Sequence, residues 1–379
     1  MSQASSAKLT KNMRIVLTGN ETGGQIMPLV AVAKKIREKV PDVDFVYIGP
    51  RGNLETELLS HEQISLRHIP VGKFRRYFDW RNFVDVFKIP LGVIKSLWLL
   101  LVLMPDAIFS KGGYASFPVV LAAWLYRIPV LIHESDANPG LANSMLAKFC
   151  VRAAIAYPEA EVFFPASQVV LTGDPLREDI NQGSAQKARE RLGLTESRKL
   201  IFVWGGTQGS RSINLKVLRA LPDLLKHYQV VHQTGEEDFQ EVENIAAEEG
   251  IKVGHDGYHA FPFIGDELKD ILAAADLVIS RAGSNSLSEI AANKKPAIII
   301  PLEKSSSDHQ RMNAYSLARI GACLVMEEGN LGEHMLMEKV QEILENDFLR
   351  EKLANNIFTF YHPDAAERIA EGVLGMIKE

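Results

Sequence analysis

The chain has 379 residues, 46% hydrophobic and 23% charged, a balance that excludes a disordered, collagenous or coiled-coil chain. Two cysteines, Cys150 and Cys323, cannot form a disulfide framework or a four-thiolate zinc site, so a reducing compartment is expected. The net charge of −5 argues against a nucleic-acid partner, and it is unevenly spread: residues 1–170 carry 19 Lys+Arg against 14 Asp+Glu, residues 171–379 carry 23 against 33.

Residues 1–12 are polar, lack the apolar core of a signal peptide and read as a disordered tail. Met13–Thr18 reads as a strand, followed by a glycine-rich loop and a helix near Pro28–Lys39; Phe45–Gly49 is a second strand. Ile89–Met104 is the most apolar stretch, but at 16 residues, with Lys95 inside, it falls short of the roughly 20 a spanning helix needs. Lys73, Arg75, Arg76 and Arg81 precede it, interleaved with aromatics that include Trp80; Trp98 lies within it. Basic heads beside aromatic bodies suit an anionic membrane interface. A solvated loop leading into a buried helix explains the same residues equally well.

Ala107–Ser110 is a strand with a helix near Phe117–Tyr126 behind it, and Val130–His133, Ala154–Ala156 and Val169–Thr172 complete a first half at residue 171. Gly173 and Pro175 mark residues 172–180 as a linker. The pattern then restarts over 181–360: strand Lys199–Trp204, loop Gly205–Ser210, helix Ile213–Lys226, strands Val230–Gln233 and Leu277–Ser280, helix Ser286–Asn293, strand Ala297–Pro301 and helix Asn313–Ile320. A terminal helix over 361–379 is expected to pack back on the first half. The fold class is α/β, with two doubly wound, Rossmann-like domains and a cleft between them.

Three loops between a strand and a helix can cradle an anion, because backbone N–H groups and the helix dipole point there. The first holds Thr22, Gly23, Gly24 and Gln25; the second runs from Gly205 through Thr207 and Gln208 to Arg211; the third runs Arg281, Ala282, Gly283, Ser284, Asn285, Ser286, Leu287, Ser288, Glu289. None is a strict dinucleotide fingerprint or a Walker loop, and each is also explained by a tight βα turn. Glu289 suits two ribose hydroxyls or an ordinary first-turn acid. Glu134 and Asp136, in His133–Gly140, end a strand and are candidate bases or turn formers. Asp42-Val43-Asp44 formally matches a metal motif but lies in a charged turn, so no metal is expected, and no esterase elbow is present.

Eight segments in order — TGNETGGQIMP, FSKGGYASFP, HESDANPGLAN, TGDPLR, GGTQGSR, HQTG, SRAGSNSLSEIA and PLEKSSSDHQRMNA — resemble the MurG family over about residues 13–325. The resemblance implies a GT-B fold and an inverting transfer of GlcNAc from UDP-GlcNAc to the muramyl C4 hydroxyl of undecaprenyl-linked lipid I. Lipid II for peptidoglycan, and with it cell shape and division, would depend on that step. The resemblance also implies docking at the cytoplasmic face of the membrane, no cofactor, and possible association with other cell-wall enzymes. It places Thr22, Gly23, Gly24 and Asn143 beside diphosphate and acceptor, and Arg177, Thr207 and Gln208 near the phosphates. Ile264 would meet uracil through its backbone, Ser284 to Leu287 would supply the helix N-terminus for the diphosphate, with Arg281, Gly283 and Ser288 also among the binding residues, Glu289 would hold the ribose and Gln310 the sugar. Two positions depart from the family: Gln25 stands where a His is usual, and Ser135-Asp136 where Gln-Asn is usual. Gln25 cannot carry a proton at neutral pH. A transferase with another sugar or lipid acceptor, and a silent nucleotide-sugar-binding scaffold, remain as alternative functions.

Overall fold

The structure is a computed structural model describing residues 12–52, 54–72, 80–206, 208–303, 305, 308–330 and 332–378; within its helices the side chains of 54, 55, 57, 80–87, 333 and 378 are outside the description. The first half runs β1 (Arg14–Thr18), α1 (Gly23–Lys39), β2 (Asp44–Gly49), α2 (Leu54–His61), β3 (Ser65–His68), α3 (Trp80–Leu103), β4 (Ala107–Ser110), α4 (Ser116–Leu125), β5 (Val130–Glu134), α5 (Leu141–Leu146), β6 (Arg152–Ile155) and β7 (Val169–Leu171). After the linker come α6 (Ala185–Leu192), β8 (Leu200–Trp204), α7 (Arg211–His227), β9 (Gln229–Gln233), α8 (Phe239–Glu248), β10 (Tyr258–Phe261), α9 (Leu268–Ala274) and β11 (Leu277–Ser280). The chain ends with α10 (Ser284–Ala292), β12 (Ala297–Ile299), α11 (His309–Arg319), β13 (Leu324–Val325), α12 (Glu333–Leu344), α13 (Asp347–Phe358) and α14 (Ala365–Lys378).

The strands form two sheets, ordered β3-β2-β1-β4-β5-β6-β7 and β10-β9-β8-β11-β12-β13. The named pairings are parallel, and each sheet reverses direction of winding beside its first strand, between β1 and β4 and between β8 and β11. Strands in such sheets are covered on both faces and read as continuous apolar runs. The two-residue period still sorts the sides. Ile15, Leu17, Phe45, Tyr47 and Phe109 pack toward α1 and α14. Val16, Val46, Ile108 and Ile132 pack with Val119 and Val120 of α4 and Leu99 and Leu100 of α3.

After α13 the chain returns to the first domain. Ala366, Ile369, Ala370, Val373 and Met376 form an apolar stripe on α14 that joins the core containing Ile26, Leu29 and Ile36 of α1. Lys39 closes the edge, 2.9 Å from both Glu367 and Glu371.

Helix α1 begins at Gly23, before the Pro28 start read from sequence, and carries Pro28 inside it. Proline has no N–H for the carbonyl four residues back, so Gly24 C=O loses its intrahelical partner. Strands β3, β10 and β13 and helices α2, α5, α6, α8, α9, α12 and α13 were not visible in the pattern; β3 and β10 are four-residue edge strands and β13 has two residues, too short for a period to register.

Helix α3 runs 24 residues and contains Pro90. It is buried on one side only: Leu99 and Leu100 are in the core, while Leu91, Ile94, Trp98 and Leu101 are 58–63% exposed. Among the described residues no helix is long and apolar enough to cross a membrane.

Candidate active site between the domains

The carboxyl ends of the two sheets meet across the cleft. Asn285 Nδ2 of α10 donates to the Gly24 carbonyl of α1 at 2.8 Å. This is the carbonyl that Pro28 leaves free. On α11, Asn313 is fully buried and spans the domains: its Nδ2 donates to Asp136 Oδ1 (2.8 Å) and Ala282 O (3.1 Å), and its Oδ1 accepts from the Ala137 N–H (2.8 Å). Ser316 Oγ donates to Glu159 at 2.6 Å, and Tyr157 packs between Met312 and Phe360, 4.6 Å between the two rings.

Two helices point open N-termini into this cleft. Thr22 precedes α1 and Gly283 precedes α10, both with extended backbone and without a side-chain cap. Their first-turn N–H groups and dipoles favour an anion. On α10 the Leu287 N–H is already taken by Gly283 O, so the free donors are those of Gly283, Ser284, Asn285 and Ser286; the Leu287 side chain is core. Ser288 faces away from a ligand too, its buried hydroxyl donating to Asp174.

Arg177 reaches the same region from the linker. Its nearest acids are distant, Asp179 at 3.8 Å and Asp266 at 3.9 Å, and its Nε and Nη2 are buried with no hydrogen-bond partner among the described residues. Buried donors are normally paired, so these two await an acceptor. Burial pushes the Glu289 carboxyl up to about 7, with Arg177 pulling it back and Asp174 adding to the rise. Ile264 lies shortly after β10; its N–H donates to Gln233 Oε1 (3.0 Å), and Phe263 beside it is 53% exposed. An adjoining cavity of about 450 Å³ runs between Lys187, Arg191, Phe263 and Ile271.

Other positions differ from the sequence reading. Arg281 is a strut: its guanidinium donates to Ser210 Oγ (3.0 Å), Ser212 Oγ (2.8 Å), the carbonyls of Ile300 and Pro301 (3.2 Å each) and Glu328 (2.8 Å), so each of its three nitrogens already has a protein acceptor. It fixes the start of α7 instead. Gln25 turns its Oε1 to the Asn20 N–H (2.6 Å), bracing the first glycine loop. Gln310 Oε1 accepts from Leu302 N–H at 3.1 Å. Gln208 is exposed at its turn. Asp44 of the formal metal motif accepts from Arg14 Nε at 2.6 Å. Thr207, Lys73, Arg75 and Arg76 lie outside the described residues, as do the side chains of Trp80 and Arg81.

The strand-end acids are told apart by their partners. Glu134 is buried; its Oε1 accepts from the Asp136 N–H (2.9 Å) and its Oε2 from Asn143 Nδ2 (2.9 Å). Burial, then the Asp136 charge, raises its carboxyl to about 7. Asp136 is committed to the opposite domain through Asn313. Asn143 is a buried brace that also reaches His133 O (3.3 Å), so it orients Glu134 and offers no free donor pair to a ligand.

Sequence reasoning missed Asn313, Gln233, Lys111 and Asp174. Lys111 and Asp174 stood in view, one directly after a strand and before two glycines, the other in the linker, but nothing in spacing joins them.

The chain matches the glycosyltransferase family 28 N-terminal domain over residues 15–155 and the C-terminal domain over 200–369. It is 37% identical over 349 residues, 92% of this chain and 94% of the relative, to the UDP-N-acetylglucosamine–N-acetylmuramyl-(pentapeptide) pyrophosphoryl-undecaprenol N-acetylglucosamine transferase of Clostridium perfringens. A Bacillus cereus transferase of that name, number 2, is 38% identical over 88% of this chain and 92% of its own. Among solved structures, Acinetobacter baumannii MurG superimposes with a TM-score of 0.75 at 25% identity, covering 96% of this chain and 99% of the other. A Neisseria meningitidis UDP-GlcNAc 2-epimerase bound to UDP-GlcNAc has a TM-score of 0.69 at 12% identity, covering 96% and 100%, a likeness of fold alone. The two parallel-sheet domains, the cleft joining their strand ends and these relatives together place the chain in the MurG family of N-acetylglucosamine transferases, glycosyltransferases of GT-B architecture.

Proposed function

We propose that this chain transfers GlcNAc from UDP-GlcNAc to the muramyl C4 hydroxyl of lipid I, with inversion, giving lipid II for peptidoglycan. The observation that carries the reading is Arg177, with two buried, unpartnered nitrogens beside the open N-terminus of α10. A diphosphate satisfies both. Ile264 carbonyl would take the uracil edge, Glu289 the ribose hydroxyls and Gln310 the sugar. The leaving UDP gains charge as the C1–O bond breaks, and preorganised N–H donors and a guanidinium stabilise that charge as it develops. The reading calls on no metal or other cofactor.

Glu134 is the base in this scheme. Its carboxyl sits near 7, where one group can hold and release a proton at working pH. Asp136 is a positioning residue, its oxygen bound to Asn313 across the cleft. Gln25 keeps only its amide nitrogen to offer a ligand, so its part is loop shape and one hydrogen bond.

The exposed apolar face of α3, with Trp124 and Leu125 at the end of α4 (51% and 53% exposed), supports docking on the cytoplasmic face of the membrane, where the lipid acceptor resides. Cell shape, division and contacts with other cell-wall enzymes would follow from that placement.

Transfer of labelled GlcNAc from UDP-GlcNAc to a lipid I analogue tests the reading, with Gln25→His beside the wild type. Robust wild-type transfer is expected. Transfer only by Gln25→His would mark a silenced member, and UDP binding without transfer by either would favour another acceptor or a scaffold.

A further inference from the structure

Beneath the cleft lies a buried charged array that the reaction scheme does not use. Lys111 follows β4, His133 lies in β5, Asp174 in the linker and Ser288 on α10; all four are no more than 5% exposed. Lys111 Nζ is 2.7 Å from His133 Nδ1 and 3.1 Å from Asp174 Oδ1. His133 Nε2 donates to Gly173 O at 3.0 Å, so its Nδ1 accepts from the ammonium and the ring is neutral. Burial and the Lys111 charge hold that ring well below the usual histidine range. Asp174 is therefore the counter-charge of Lys111. Its second oxygen, Oδ2, accepts from Ser288 Oγ at 3.3 Å, across the domain boundary.

We infer that Lys111, Asp174 and Ser288 form an interdomain pin that positions the N-terminus of α10 against the first domain. Two contacts made by α10 itself reach across: Asn285 to the carbonyl freed by Pro28, and Ser288 to the aspartate held by Lys111. Residues 285 and 288 are three apart and lie on one face of α10. The free N–H groups of the same first turn point at the cleft. The linker beside the pin is tightly packed at Gly173: its φ is +83°, and a Cβ there would sit 2.6 Å from His362 Cβ on the returning chain. The first domain, which would carry the acceptor and Glu134, thus sets the position of the donor's diphosphate cradle on the second. Lys111, Asp174 and Ser288 are positioning residues in this account, which rests on the reading that the diphosphate lies at α10.

Ser288→Ala tests the pin in the full chain, because it removes the cross-domain contact without stranding a buried charge. GlcNAc transfer, UDP titration calorimetry and thermal unfolding are measured together. The expected result is a kcat lowered about tenfold, the factor one hydrogen bond to a charged group is worth, with UDP affinity unchanged within about twofold. In a Lys111→Met/Asp174→Leu background, where apolar residues replace the pair and no charge is stranded, Ser288→Ala should add nothing. A wild-type kcat in Ser288→Ala, an equal drop in both backgrounds, or UDP affinity falling together with stability would overturn the pin. If the double background does not fold, Ser288→Ala alone decides. Spin labels at exposed Lys148→Cys and Glu248→Cys, one on each domain, give an independent reading: Ser288→Ala should broaden the interdomain distance distribution. An unchanged distribution overturns the pin even if the chain transfers no sugar, whereas absent transfer with a broadened distribution would count against the transferase reading alone.

Discussion

One topological position is filled twice in this molecule, with opposite results. The crossover from the third strand to the switch point is α3 in the first domain and α9 in the second. Helix α9 has seven residues and buries its apolar set: Leu268, Ile271, Leu272 and Ala274 are all at most 7% exposed. Helix α3 has 24 residues and leaves Leu91, Ile94, Trp98 and Leu101 largely in water. The fold itself needs only what α9 supplies. The surplus apolar surface on α3 is the face that the proposed membrane docking would use, and it lies in the half with excess positive charge. The cleft is also divided: each domain offers an open helix N-terminus, the linker adds the Arg177 nitrogens, and the first domain adds the buried Glu134 and Lys111.

The sharpest break in that division of labour comes from Glu134→Gln. It should lower kcat by about 10²- to 10⁴-fold, the range for a lost general base, and abolish the rise of kcat with pH near 7 that the wild type should show. The same carboxyl affects stability with the opposite sense. Its folded value of about 7 lies above the ordinary 4.5, so the folded state holds the proton more tightly between them. Wild-type stability should therefore fall relative to Glu134→Gln as pH rises from about 4.5 towards 7, in thermal melts across that range.

Arg177→Ala tests the donor side. UDP affinity and kcat/KM for UDP-GlcNAc should both fall, by about 100-fold, as expected for a charge-assisted contact to phosphate. Unchanged UDP affinity in calorimetry would remove the site from the linker arginine. Ile94→Asp/Trp98→Asp tests the surplus face of α3. Each buried side chain is worth about 1.5–3 kcal/mol, so sedimentation with anionic vesicles should weaken by more than tenfold, while transfer to a water-soluble acceptor analogue stays as in the wild type. Equal losses in both assays would make the patch a folding element after all. The smallest effect belongs to Glu371→Ala, which leaves Lys39 its other partner, Glu367; the pair is exposed, so the denaturant midpoint should stay where it is in the wild type. A lowered midpoint would mean that charge, and not the apolar stripe of α14, holds the terminal helix to the first domain.

Much of the fold was legible because it rests on short-range order. Continuous apolar runs such as Ile15–Leu17 and Leu200–Trp204 mark strands covered on both faces, and the glycines after them mark βα turns. The start of α1 was misread because Pro28 looks like a beginning. In space it is an interior residue whose missing N–H frees a carbonyl for the other domain. The residues of the cleft were legible as a set, from eight ordered segments, but several of their tasks were not. Arg281 reads as an anion ligand until five protein acceptors are seen around it. Asp136 reads only as a candidate base; that one of its oxygens accepts from Asn313, 177 positions away in the other domain, is a tertiary fact.

The sequence by itself determined two doubly wound domains, the loops that open toward a ligand and the family to which they belong, because strand runs, turn glycines and motif order are local properties of the chain. Only the tertiary structure decided which polar groups are free and which are spent. Lys111 and Asp174 are 63 positions apart, and Asp174 and Ser288 are 114 apart. Whether such groups bind a substrate, brace a loop or pin two domains depends on which partner reaches them once water is excluded, and that is fixed by packing between segments distant in the chain.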